Sequence, residues 1–386
     1  MEEMVYNPYA GVYLRAKELY DEADYQQAFI KLYSVVENDP NNFKANFLIA
    51  ECYYNGWGTE INYQKAFQNY SLAAINHIPK AAYKVGYCYE IGLGVEKEET
   101  QAVSWYMEAM KIDDEQAEYR LGLCYKNGIG IEQNYPHAAS CFLKAAQKGN
   151  VDAQREAALC YEYLNQPKAS ATLYLAAANQ DDSFACEKIG SFYADGYGCP
   201  KSSELAIFYY SKACELGNIH AMLSLAKRYK EGNGVEQSIK DSIYWWLKAA
   251  PQSNEAQMEM AECYLTGTGV RQDYVQGMNW LKKAASNNPA AMLKMAELSL
   301  NPLPGAERSE SEAKIWWSRA AALGDSLAMY KLGVCYEDAI GAVTPNYSEA
   351  YKWYRLASQN GNDDATEACK RFTKSMFGTV KLKKEK

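Results

Sequence analysis

The sequence has few of the residue patterns on which catalysis, metal binding and membrane insertion depend. It contains 3 histidines, His77, His137 and His220, which lie at unrelated points of the chain. It has no cysteine pair at metal-ligand spacing, no nucleophile motif and no strand-linked glycine loop. No apolar run reaches the about 18 residues that a membrane helix needs. We therefore expect no enzyme, no cofactor or metal, and no membrane partner.

Positive charge is also scarce. The chain carries 40 Lys and Arg against 48 Asp and Glu, a formal net charge of -8. Nucleic-acid-binding proteins usually present a basic surface, so this composition predicts no nucleic-acid partner. The basic run is the terminal "KLKKEK", which we interpret as a polar end of the chain. The acidic amino terminus lacks the features of a secretory signal, which predicts a cytoplasmic protein or an effector delivered without such a signal.

What the chain does have is a block that recurs about every three dozen residues. Self-similarity at such a period is typical of solenoids, in which one helical unit stacks on the next. The period also indicates a single elongated array in place of several separate domains. Each block opens with an alanine: Ala45, Ala81, Ala117, Ala153, Ala185, Ala221, Ala256, Ala291 and Ala328.

Each block reads as two helices joined by a glycine loop. In the second block, Ala81, Val85, Gly86 and Tyr89 recur at helical spacing, and the loop glycines suit a helix end with positive φ. The small residues Ala81 and Gly86 on the first helix predict that a partner helix packs closely against it. A polar residue suited to cap the second helix follows the loop, as at Asn62, Asn134, Ser238, Asp273 and Asn346.

The second helix of most blocks carries two adjacent large residues. Examples are Trp105-Tyr106, Tyr209-Tyr210, Trp245-Trp246, Trp316-Trp317 and Trp353-Tyr354. Aromatic residues at a fixed helical phase favour packing between layers over a stacking platform for bases or sugars.

The combined pattern, A-x3-L-G-x2-Y-x2-G-x-G-V followed by A-x2-W-Y-x-K-A-A-x2-G, resembles the Sel-1-like repeat family, relatives of the tetratricopeptide repeats. The resemblance implies an all-α, right-handed α/α superhelix. It divides the chain into a tetratricopeptide-like hairpin at 1–42, about nine Sel-1-like repeats at 43–361, and a capping helix with a basic tail at 362–386. Two repeats depart from the pattern: the fourth lacks the glycine loop, and the eighth replaces it with "NPLPGAERSESE". Both departures are open to two interpretations, tolerated drift or a specialised site.

The 11 cysteines are predicted to be reduced. Equivalent positions in successive units are separated by at least a helix-packing distance, about 8 to 10 Å, which exceeds the Cα limit of about 7 Å for a disulfide. The recurring positions are Cys52, Cys88, Cys124, Cys160, Cys263 and Cys335.

The resemblance implies a protein-interaction scaffold or adaptor that binds a peptide or protein in its concave groove. Counting the opening alanine as position 1, the groove would be lined by positions 3, 7, 10 and 11 of the first helices. The predicted binding residues in the amino-terminal half are Phe47, Glu51, Tyr54, Asn55, Tyr83, Tyr87, Tyr119, Leu123, Lys126, Asn127, Arg155 and Tyr163. Tyrosine gives contact area plus a hydroxyl, which suits an extended peptide. The opposing interpretation is that these tyrosines pack between helices and leave no groove.

In the carboxyl-terminal half the same positions are more charged, which suggests a second, electrostatically different partner. These residues include Lys227, Lys230, Glu231, Glu262, Glu297 and Glu337. We expect a monomer, with a homo-oligomer as the alternative. The alternative function is a hydrolase or β-lactam-binding protein, an activity attributed to some cysteine-rich relatives.

Overall fold

A computed structural model describes residues 8–78, 80–340, 344–374 and 380–382. Within these ranges the chain forms 21 α-helices and one short strand pair. The helices are α1 Ala10–Asp21, α2 Tyr25–Asn38, α3 Phe43–Asn55, α4 Tyr63–Ile75, α5 Ala81–Ile91, α6 Glu99–Met110, α7 Glu115–Asn127, α8 Tyr135–Gln147, α9 Val151–Tyr163, α10 Pro167–Ala178, α11 Ser183–Asp195, α12 Ser203–Glu215, α13 Ile219–Glu231, α14 Ile239–Ala249, α15 Asn254–Thr266, α16 Tyr274–Ala284, α17 Pro289–Leu300, α18 Glu310–Ala322, α19 Ser326–Glu337, α20 Tyr347–Gln359 and α21 Asp363–Lys370. The strands are β1 Phe372–Lys374 and β2 Val380–Leu382.

The helices form a series of hairpins, which confirms the predicted all-α solenoid. Helices α1 and α2 form the first hairpin, and α3 to α20 supply a first and a second helix to each repeat. We number these repeats 1 to 9 in the order of their opening alanines. The chain divides into an amino-terminal unit, Met1–Tyr209, and a carboxyl-terminal unit, Tyr210–Lys386, with α12 spanning the boundary. The predicted boundaries at residues 42 and 361 stay predictions.

The predicted capping residues begin the second helices. The side-chain oxygen of Asn62 accepts a hydrogen bond from the backbone N–H of Lys65 at 3.0 Å, and Asn134 accepts one from His137 at 3.0 Å. Ser238, Asp273 and Asn346 cap their helices in the same way. Such caps satisfy N–H groups that have no partner within the helix. In repeats 1, 3, 6, 7 and 9, the residue after the loop therefore sets where the second helix starts.

The small residues of the first helices bring the second helices close. All the opening alanines are fully buried. At Gly86, an added Cβ atom would lie 2.8 Å from the ring of Tyr106, and at Gly122 it would lie 2.6 Å from the ring of Phe142. A ring on the second helix thus occupies the space that a side chain would take. The predicted role of these small residues is confirmed.

The paired aromatic positions also divide into two roles. The second member is deeply buried, with Tyr106 and Tyr354 at 0%, Trp246 at 3% and Trp317 at 7% exposure. The first member of each of these pairs is only half-buried. The second position therefore carries the packing between layers, as predicted for the pair as a whole.

The two departing repeats keep their helix pairs. In repeat 4, α9 and α10 are joined by a tight turn with Asn165 at φ 53°, and Pro167 begins α10. In repeat 8, α17 ends at Leu300 and α18 begins at Glu310, and residues 301–309 form the connection. The predicted loop residue Gly341 of repeat 9 lies outside the described residues.

The carboxyl-terminal segment contains a helix, α21, as predicted, but a strand pair follows it where a polar tail was predicted. Helix α21 ends at Lys370, and β1 pairs antiparallel with β2. Phe372 and Val380 are buried, and the Phe372 ring lies 5.9 Å from the rings of both Tyr351 and Tyr354. The strand pair thus covers apolar surface of α20 in the last repeat. Residues 383–386 of the predicted tail lie outside the described part of the chain.

Candidate functional site

The predicted binding residues lie on the first helices of repeats 1 to 4, in the amino-terminal unit. They belong to α3, α5, α7 and α9. All are half-buried except Asn127 and Tyr163, which are exposed, and the Tyr163 ring stacks on Tyr135 with centroids 4.6 Å apart. Most of these side chains therefore keep an accessible face while their other face contacts a neighbour.

Tyrosine side chains and Arg120 link the first helices of repeats 1, 2 and 3. The Tyr83 ring stacks on Tyr87 at 6.2 Å and on the buried Tyr106 at 6.0 Å. The Arg120 guanidinium lies 5.2 Å from the centre of the Tyr87 ring. Burial raises the pKa of Tyr54 to about 12, and a hydrogen bond to Tyr87 acts in the same direction. We call Tyr54, Tyr83, Tyr87 and Tyr119 the tyrosine stripe.

Carboxylates of the first helices accept hydrogen bonds from buried tyrosines of the second helices. The Tyr70 hydroxyl donates to Glu51 at 2.5 Å, and the Tyr106 hydroxyl donates to Glu90. Tyr174 donates to Glu162 in repeat 4, and Tyr354 donates to Glu337 at 2.6 Å in repeat 9. Burial is the largest cause of the raised pKa of each of these tyrosines, and the carboxylate adds to it.

Each of these carboxylates also forms an ion pair with a cation that follows it in the array. The pairs are Glu51 with Lys84 at 2.9 Å, Glu90 with Arg120 at 3.0 Å, Glu162 with Lys188 at 3.3 Å and Glu337 with Arg371 at 2.9 Å. In repeats 2 and 4, the carboxylate stands at position 10 and the cation at position 4 of the next repeat. We call this set of contacts between repeats the ladder.

The ladder reverses its sign in repeats 3 and 6, where the buried ring of the second helix is Phe142 or Trp246 and not a tyrosine. Lys126 at position 10 pairs with Glu156 at 2.6 Å, and the ring of that repeat is Phe142. Lys230 pairs with Glu259 at 2.7 Å and lies 5.2 Å from the Trp246 ring. Phenylalanine has no hydroxyl to donate to a carboxylate. The face of the Trp246 ring attracts a cation, which favours a lysine at position 10. In repeats 3 and 6, a buried ring other than tyrosine thus accompanies a lysine at position 10.

The charged residues of the predicted site already form ion pairs within the protein. Glu51 and Lys126 are ladder residues, and Arg155 pairs with Asp152 and Asp182. The Asn55 amide donates to the carbonyl of Glu51 in its own helix at 2.9 Å. The sequence analysis missed these pairings. Comparing position 10 of repeat 3 with position 4 of repeat 4 would have shown the opposite charges of Lys126 and Glu156, but no such comparison reveals the pairs of Glu51 and Arg155.

Replacing Tyr106 by phenylalanine tests the ladder. The change removes the hydroxyl from Glu90 and keeps the ring, so we expect the opening free energy of α5 and α6 to fall by about 1.5–3 kcal/mol, the usual range for a hydrogen bond to a charged group. Hydrogen exchange followed by mass spectrometry measures this quantity helix by helix. Tyr244→Phe, at a tyrosine that is 50% exposed, is the matched control and should change little. Equal effects of both variants would refute the assigned role.

The cysteines and histidines form no metal-binding cluster in the described ranges. All 11 cysteines are free, as predicted. Burial raises the pKa of Cys88 and of Cys160 to about 12, so these thiols stay protonated and unreactive near neutral pH. Among residues 8–78, 80–340, 344–374 and 380–382, no cluster of His, Cys, Asp and Glu side chains is arranged to hold a metal ion.

Comparisons with known proteins point to one repeat family. The Sel1 repeat model matches residues 43–76, 79–109, 115–150, 183–218, 219–254, 254–289, 289–325 and 326–362. The model leaves residues 151–182, where α9 and α10 lie, unmatched. No helix in the described part of the chain is long and apolar enough to span a bilayer.

Individual proteins show the same likeness. A Sel1 repeat protein from Oxalobacter formigenes is 31% identical, with a TM-score of 0.51, over 62% of this chain and 97% of its own. The protective antigen c5321 of uropathogenic Escherichia coli, which displays an SLR fold, is 24% identical with a TM-score of 0.67. The match covers 88% of this chain and 73% of that one, and it shows the shared fold. Protein sel-1 homolog 2 of Rattus norvegicus is 36% identical over 87 residues, and the match spans 22% of this chain and 13% of that relative.

Proposed function

The chain belongs to the Sel1 repeat family, and we propose from that membership that it is a non-enzymatic scaffold or adaptor that binds a peptide or protein segment. Sel1 and related helical repeats typically mediate protein–protein interaction. We place the binding surface on the tyrosine stripe of the amino-terminal unit and the cellular location in the cytoplasm.

The observation that supports this proposal is the series of partly accessible tyrosines on the first helices of repeats 1 to 3, which a Tyr54–Tyr87 hydrogen bond and Arg120 link across repeats. Tyr83 and Tyr87 are held by stacking and by Arg120, while each keeps part of its ring accessible. A side chain that is already fixed loses little conformational entropy when a partner binds. Tyrosines of this kind are common anchors in protein interfaces.

The polar groups that remain available favour an extended segment. The ladder neutralises Glu51, Glu90 and Lys126, so the surface is not dominated by one charge. Asn127 is exposed at the end of α7, where its amide can meet a peptide backbone. Asn55, the other predicted amide, already donates to its own helix. We therefore assign backbone recognition to Asn127.

A selection from random peptides tests the proposal and requires no candidate partner. A phage-displayed library of random peptides is selected on the full chain, and recovered peptides are titrated by fluorescence anisotropy. We expect the Tyr83→Ala/Tyr87→Ala variant to bind its peptides at least tenfold more weakly, the loss typical of an interface anchor. Tyr244→Ala, an exposed tyrosine of α14, is the matched control and should bind like wild type.

Two results would count against this function. Equal affinity of the double variant and wild type for every recovered peptide would exclude the tyrosine stripe as the binding surface. Turnover of a generic ester or a β-lactam by the purified protein would favour the enzyme alternative. Helical content measured by circular dichroism verifies that the double variant is folded.

A further inference from the structure

A cavity of about 490 Å³ opens on the first helices of repeats 7 to 9, in the carboxyl-terminal unit. Met258, Leu293 and Leu300 form much of its apolar wall, and Lys294 and Lys331 contribute ammonium groups. This volume lies within the range of sites that accept a ligand or a partner side chain, about 300–1,000 Å³. The cavity combines an apolar interior with positive charge.

The ladder is interrupted at this cavity. Lys294 and Lys331 stand at position 4 of repeats 8 and 9, where Lys84, Arg120 and Lys188 stand in the amino-terminal unit. Position 10 of the preceding repeat is Leu265 for Lys294 and Leu300 for Lys331. The position-7 carboxylates, Glu262 and Glu297, are the counterparts of Glu51, but neither forms a cross-repeat ion pair with these lysines.

Without a cross-repeat ion pair, the two lysines make different contacts. Lys294 pairs with Glu297 on its own helix at 3.0 Å. Lys331 forms no ion pair with any described residue, and its Nζ atom lies 5.8 Å from the centre of the neighbouring Tyr330 ring. Lys331 is half-buried, so part of its hydration is already lost. A carboxylate supplied from outside would restore the contact that the ladder makes elsewhere.

We propose that this cavity binds a partner segment in which an acidic side chain lies next to a large apolar one. The apolar side chain enters between Met258, Leu293 and Leu300, and the carboxylate pairs with Lys331. The proposal rests on the proposed function, since it takes the partner to be a protein segment, but it concerns the other unit of the chain. It also gives a role to repeat 8, whose loop departs from the family pattern.

Charge at the rim favours a carboxylate over a phosphate. Glu297 lines the same cavity and its side chain is 58% exposed. A phosphorylated side chain carries a charge of about -1.5 to -2 at neutral pH, which Glu297 would repel more strongly than a single carboxylate. One unpaired lysine matches one negative charge.

The test starts from the same random-peptide selection on the full chain. We expect a class of peptides with an acidic residue beside Leu, Ile, Phe or Met. Synthetic peptides of this class, labelled with fluorescein, should bind Lys331→Met at least tenfold more weakly by anisotropy. Lys240→Met, at an exposed lysine of α14, is the matched control and should retain wild-type affinity.

A second variant tests the cavity by restoring the ladder ion pair at this point. Leu300→Glu supplies the missing carboxylate at position 10, which should pair with Lys331, close the site and abolish binding of the same peptides. The variant exploits a pairing that the fold already uses at Glu90 and Arg120, so we expect it to remain folded by circular dichroism.

The outcomes separate this inference from the proposed function. If the acidic–apolar class is not recovered, or if it binds Lys331→Met and Leu300→Glu like wild type, the inference is wrong. If every recovered peptide depends on Tyr83 and Tyr87 and none depends on Lys331, the inference is overturned and the proposed function stands. Failure to recover any peptide would contradict both.

Discussion

Gly94→Ala is expected to lower the opening free energy of repeats 1 and 2 by about 3 kcal/mol or more. Gly94 has a φ of 74°, and an added Cβ atom would lie 2.0 Å from the carbonyl oxygen of Tyr63, at the start of α4. A non-glycine residue in this backbone region costs about 1–2 kcal/mol, and overpacking costs about 1–3 kcal/mol. The obstacle is backbone, which cannot rotate away as a side chain can.

Gly92→Ala provides the matched control within the same loop. Gly92 has a φ of 82°, but the nearest atom to an added Cβ is Lys97 Cβ at 3.4 Å. This variant keeps the backbone strain and avoids the collision, so a loss of about 1–2 kcal/mol is expected. Hydrogen exchange of α4 and α5 followed by mass spectrometry compares the two. If Gly94→Ala and Gly92→Ala lower the opening free energy by the same amount, the collision with Tyr63 does not contribute to the destabilisation.

Trp317→Ala should lower the opening free energy of α17, α18 and α19 by about 3–5 kcal/mol, the range for emptying a buried aromatic site. Trp317 is 7% exposed and packs in the core of the carboxyl-terminal unit. Because long repeat arrays open in parts, local hydrogen exchange is a better measure than one global transition. Ile315→Ala on the same helix removes a side chain that is 52% exposed and should change the value by about 0.5 kcal/mol or less.

Trp316, the neighbour of Trp317 in the sequence, provides a second comparison for this test. The sequence treats the two tryptophans alike, but Trp316 is only half-buried, and the Arg319 guanidinium lies 4.8 Å from its ring. Trp316→Ala should therefore destabilise the helices less than Trp317→Ala. The reverse order would show that the layers are held together by the other face of α18.

The features that the sequence predicted are those set by rules within one repeat. Gly86 is small because the Tyr106 ring fills the space above it, and Ala81 is fully buried. Asn62 and Asn134 cap helices because they follow the loop directly. The identity and position of each such residue are enough to predict its role, because its contacts are made over short stretches of the chain.

The features that the sequence analysis missed depend on contacts between elements. Glu90 and Arg120 are 30 residues apart, and their pairing depends on which helix faces meet across repeats. The tyrosine stripe was identified by position, but its stacking on Tyr106 requires the packed structure. The strand pair at the end of the chain was missed because Phe372–Lys374 is too short to show a strand pattern.

The reversal of charge in the ladder restricts how such an array can be lengthened or shortened. Deleting repeat 3 alone would bring Glu90 opposite Glu156, and duplicating it would bring Lys126 opposite a second Arg120. Removing repeats 3 and 4 together would join Glu90 to Lys188, two opposite charges. Around this point, the array is therefore expected to tolerate the loss of two adjacent repeats better than the loss of one.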